Sequence, residues 1–225
     1  MCFSAEADFV TGAVVGAVGV ATLTKVEEPR QLALAAVPLT LAAHQLVEGF
    51  VWLGHEGEAS RSTVDVATYF YVAVAWVVLP VFLPLCVLLV ERDRSRQRAI
   101  APFVALGAVV ALYFLWSILL NDVTSHVVEH TIQYGGAGDL AVPATILYVI
   151  ATCMPPLLSS HPAIVVFGVL NLAAVAVIAW AQADGLTSVW CLWAAIISVL
   201  IYLQFVAWQR RARTPTSEPS LAAPT

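Results

Sequence analysis

Long apolar runs divide this chain, each about as long as a bilayer crossing and each ended by a short polar connection. They lie at about 4–23, 31–53, 64–90, 100–120, 140–158, 163–180 and 188–208. A helix rises about 1.5 Å per residue, so roughly 20 apolar residues cross the hydrocarbon core. The pattern predicts an all-α polytopic membrane protein with seven transmembrane helices. Residues 1–208 form one bundle, and 209–225 read as a basic stretch followed by a disordered tail rich in Pro, Ser and Ala. Gly12, Gly16 and Gly19 in the first run let a neighbouring helix approach closely. Pro80 and Pro84 should kink the third run and free backbone carbonyls.

Composition excludes a soluble fold: 60% of residues are hydrophobic and 11% charged, where soluble domains carry roughly 25% charged residues. The first eight residues hold two acids and no Lys or Arg, unlike a cleaved signal peptide, so the first run is expected to remain as a helix. The four cysteines are scattered and show no disulfide framework or Cys-x-x-Cys motif. The net charge of −5 matters less than where the basic residues fall. Lys25, Arg30, Arg92, Arg94, Arg96, Arg98, Arg210, Arg211 and Arg213 all follow odd-numbered runs, against Arg61 on the opposite side. The positive-inside rule then puts the C-terminus in the cytoplasm and the N-terminus outside a plasma membrane. Arginines on that side suit anionic lipid head groups, and nothing in the pattern points to nucleic acid.

Within the second run, the stretch 41–54 carries polarity that hydrocarbon does not explain. His44 and Glu48 stand four residues apart, stacked on one helical face. An ionisable residue at such depth costs about 2.5–3.5 kcal/mol on insertion scales and marks a protein interior or a water-filled cavity. Glu6 and Asp8, in the first turn of the first helix, read as complements to its dipole. In the connection after the fourth run, Asp122, Thr124 and Ser125 precede His126 and His130 and glycines follow, which predicts a short helix with both histidines on one face.

Two imidazoles at i, i+4 can share a metal ion. His44, His126 and His130 with Glu48 would make a three-His-plus-carboxylate shell for zinc or another divalent first-row metal. Cys2 is a further candidate ligand, through its thiolate and, after methionine removal, its amine. The order His-Val-Val-Glu-His is not that of a zincin, which disfavours a metalloprotease.

The opening Met1-Cys2-Phe3-Ser4-Ala5, Pro38, and Gln45-x-x-Glu48-Gly49-x-x-Trp52 resemble an uncharacterised family of bacterial seven-span membrane proteins. The resemblance implies a seven-span fold and roles for Cys2, Gln45, Glu48 and Trp52, and carries no activity. A looser analogy links the chain to seven-span zinc hydrolases of the alkaline ceramidase type. Their His-x-x-x-His pair lies in the last span, where this chain has no histidine.

Three functions fit this pattern. The first is a metal-binding bundle, extending to a metal-dependent hydrolase acting on a lipid or small molecule, with Glu48 as ligand or base. The second is a transporter, sensor or proton relay that uses Glu48 and His44 without metal, with Gln45 and Asn171 as hydrogen-bonding partners. The third is a structural membrane protein in which these groups fix helix packing.

Overall fold

A computed structural model describes residues 4–128, 131–135, 142–181 and 186–213. Helix α1 (Ala5–Leu23) begins at Ser4, whose hydroxyl accepts from the Ala7 N–H at 3.3 Å. It packs along α2 (Leu32–His55), and the glycines set how closely. A Cβ at Gly19 would stand 2.7 Å from the Leu39 backbone, and one at Gly12 2.8 Å from the Leu46 side chain. Between the two helices, Glu28 and Gln31 cap a single 3₁₀ turn, Pro29–Gln31.

The third run is one helical stretch of changing pitch: α3 (Arg61–Val72), a π-helical segment (Ala73–Val78) and α4 (Leu79–Val90). Proline explains how the segment ends. In π pitch, Leu79 donates back to Val74, so the next donor would serve Ala75, but that position is Pro80 and has no N–H. The Tyr148 hydroxyl takes its place, donating to the Ala75 carbonyl at 2.8 Å. Helix α5 (Arg94–Leu120) is capped by Asp93 and crosses α4 at Gly107. A Cβ there would lie 1.8 Å from the Pro80 carbonyl oxygen.

The short helix expected around His126 is instead an antiparallel hairpin, β1 (Thr124–Val128) with β2 (Thr131–Gly135). Thr124, Val127, Val128, Thr131, Ile132 and Tyr134 are β-branched or aromatic, and that preference outweighs the polar start and glycine stop. Alternation along β2 turns Ile132 and Tyr134 into the bundle. Helices α6 (Val142–Leu157), α7 (Pro162–Ala181), α8 (Leu186–Ile197) and α9 (Val199–Arg213) follow. At Ser198, between α8 and α9, the hydroxyl donates to the Ala195 carbonyl at 2.6 Å.

Among the described residues the fold is thus all-α apart from one hairpin, and six stretches are long and apolar enough to cross a membrane. Helix α6, with 16 residues, is about 24 Å long and falls short of a full hydrocarbon core. Large apolar side chains point outward, among them Val10, Leu112 and Leu119, as a lipid-facing surface requires. The connections after α1, α4 and α6 meet at one end. Arg92 pairs with Glu28, and Arg96 donates to the Leu158 and Ser159 carbonyls at 2.8 and 3.1 Å. His161 packs edge-on against Trp208 of α9 at the same end. The hairpin, the end of α2 and the start of α3 occupy the opposite end. The tail expected beyond residue 213 lies outside the described residues.

Candidate functional site

Helix α2 aligns His44, Gln45, Glu48 and Trp52 toward the bundle interior, and all four are buried. Close packing of α1 on α2 brings Asp8 to the same place. The Gln45 amide donates to Asp8 Oδ1 at 3.1 Å, joining two fully buried side chains. Glu48 lies near enough to act electrostatically on Asp8. From the other end of the sequence, the Tyr134 hydroxyl on β2 donates to Glu48 Oε1 at 3.2 Å. Burial first, then the adjacent Glu48, holds the Tyr134 phenol well above its ordinary titration range, so it remains a donor.

Three rings close the site on its other side. His44 stacks on Tyr71 at 3.8 Å between centroids, and Tyr71 stacks on Tyr134 at 4.2 Å, with interplanar angles of 16° and 15°. The Tyr71 hydroxyl lies close to the Cys191 thiol on α8. Among the described residues, Asp8 Oδ2, Gln45 Oε1, the Trp52 indole N–H and both ring nitrogens of His44 are buried without a hydrogen-bond partner. Native interiors leave few such groups, and they concentrate where something is bound or moved.

His44 and Glu48 therefore share one buried site as the i, i+4 spacing implies. His126 does not join them. It sits exposed on β1, opposite Gln133, and lines a separate surface hollow with His55 and Asp65. There His55 Nε2 lies 3.0 Å from the Ser125 hydroxyl. The strand conformation is the reason: the connection lies across the end of the bundle, and its inward positions go to Ile132 and Tyr134. Cys2 and His130, the other expected ligands, lie outside the described residues. Among the described residues no three His, Cys, Asp or Glu side chains form a metal-binding group.

Sequence reasoning missed Asp8, Tyr71 and Tyr134. Asp8 carried a signal, since an acid in an apolar helix rich in small residues can face a neighbour as readily as it complements a dipole. The two tyrosines carried none.

The chain matches the family of unknown function DUF6629 over residues 1–219 and belongs to that family. No curated protein and no solved structure matches it.

Proposed function

We propose that the protein is a proton-linked membrane transporter or sensor, in which the group formed by Asp8, Gln45 and Glu48 takes up and releases a proton inside the bundle. One observation carries this reading. Asp8 is a fully buried carboxyl bonded to a neutral amide, its second oxygen has no hydrogen-bond partner among the described residues, and a second buried carboxyl, Glu48, lies near it. Two like charges in one water-excluded site are costly together, and a proton is the smallest species that relieves the repulsion. Gln45, adjoining Asp8, and Tyr134, bonded to Glu48, can reorient their donors as the proton moves. By the positive-inside rule the arginine-bearing end faces the cytoplasm of a plasma membrane, so the hairpin end and this site belong to the outer half.

Infrared difference spectroscopy of protein in nanodiscs, taken between acid and alkaline pH, tests the proposal. A protonated-carboxyl band should titrate in the wild type, persist in the presence of a chelator, and be lost or shifted in both Asp8→Asn and Glu48→Gln. A spectrum unchanged by either substitution overturns the reading.

Metal binding is the second reading, favoured by the two ring nitrogens of His44, which have no hydrogen-bond partner among the described residues. Zinc or another divalent first-row metal would be held by His44, with Glu48 as ligand or as base toward bound water. About one equivalent of metal in untagged protein, lost in His44→Ala, would replace the proton reading with this one.

A further inference from the structure

A cavity of about 330 Å³ lies inside the bundle next to the carboxyl site, between α4, α5, α6, α7 and α8, with Ile132 and Tyr134 of the hairpin in its wall. The geometry points to a binding site for a small, neutral, planar aromatic molecule, an assignment independent of the proton reading. The wall itself sets the class of guest. Trp76, Phe114, Tyr148 and Trp190 form a continuous series of tilted and edge-to-face rings, with centroids 5.4 to 6.3 Å apart. Such a wall presents both faces and edges to a flat guest.

Among the described residues no Asp, Glu, Lys, Arg or His lines the cavity, so these walls offer a charged guest no counter-ion. Three polar groups of the wall are already engaged. The Trp190 indole donates to Asn171 Oδ1 at 2.7 Å, the Asn171 amide donates to the Cys153 sulfur at 3.5 Å, and Tyr148 serves the Ala75 carbonyl. The guest is therefore held by ring contacts rather than by ions. An apolar cavity of about 150 Å³ takes up benzene, so this one has room for a ring system about twice that size. Thr145, half-buried, adds a hydroxyl to the lining, and Val142 and Ile146, 70% and 53% exposed, carry the lining to the protein surface at the start of α6.

The probe is 2-naphthol, titrated calorimetrically into the full chain in detergent. Ala194→Phe and Leu83→Trp each fill the cavity from a different helix, and thermal unfolding without probe shows which of the two folds. Saturable binding near one equivalent, weakened about tenfold or more in a folded variant, supports the site. Non-saturating partition in the wild type, or a folded variant that binds like the wild type, overturns it. A second arm uses nanodiscs of lipid with brominated acyl chains. Tryptophan quenching in the wild type that Ala194→Phe reduces would show a bilayer chain in the space and would overturn the aromatic assignment.

Discussion

The Tyr134 hydroxyl and the Glu48 carboxyl meet at 3.2 Å although 86 residues separate them in sequence. That bond, with the stacking of Tyr134 on Tyr71, ties the hairpin to the centre of the bundle. Tyr134→Phe keeps the ring and deletes the donor, leaving a buried carboxyl oxygen short of one bond. The expected cost is about 1–3 kcal/mol. Tyr134→Ala also removes the stack and the buried ring, for about 3–5 kcal/mol. Denaturation followed by circular dichroism in one detergent compares the two. A phenylalanine variant as stable as the wild type would show that the bond contributes nothing.

Asp8 and Gln45 make the second prediction, because the Gln45 amide is the hydrogen-bond donor to a carboxyl with 0% exposure. Gln45→Leu strands that carboxyl and should destabilise by about 1–3 kcal/mol. Asp8→Asn keeps an acceptor for Gln45 and should fold nearly as well as the wild type while losing its titration. If Gln45→Leu is tolerated and Asp8→Asn is not, the packing of α1 on α2 depends on something other than this pair.

Much of the bundle was legible in the sequence because membrane crossing imposes length and hydropathy directly. Arginines after odd-numbered runs place Arg92 and Arg96 at one end, where Glu28, Leu158 and Ser159 meet them. The spacing of His44 and Glu48 likewise gave their shared face. The hairpin was misread because its polar start and glycine stop fit a helix as well as a turn, and only β preference and inward packing at Ile132 and Tyr134 separate the two. Asp8 was legible as an acid but not as a partner of Gln45, since that depends on how far α1 slides along α2. The stack of His44, Tyr71 and Tyr134 joins three distant segments, and no local pattern encodes it.

Gly107, the one glycine of α5, is expected to be less replaceable than Gly54 of α2. Its Cβ position falls 1.8 Å from the Pro80 carbonyl oxygen, and backbone cannot rotate aside. At Gly54 the corresponding obstacle is a Val64 methyl group, also at 1.8 Å, which a rotamer change can relieve. Gly107→Ala should therefore cost about 1–3 kcal/mol or more by overpacking, and Gly54→Ala less. Unfolding temperatures of the two variants decide it, and equal losses would place the strain elsewhere.

Glu91, just past the end of α4, sets a pH dependence at the arginine-bearing end. Burial pushes its carboxyl up, but the Ser160 N–H and hydroxyl, both at 2.8 Å, and the N–H groups of Asp93 and Arg92 outweigh burial and hold it below the ordinary value of 4.5. A carboxyl that is more acidic folded than unfolded contributes stability in full above its unfolded value. That contribution fades as pH falls through the folded value. Glu91→Gln removes it and turns one acceptor oxygen into a donor facing other donors. The wild type should exceed the variant by about 1.5–3 kcal/mol near neutrality, and the gap should close below about pH 4.5. Taking the difference between the two proteins cancels the contribution of every other titrating group, which both retain. A gap that stays constant down to acid pH would mean that Glu91 acts through shape and not through charge.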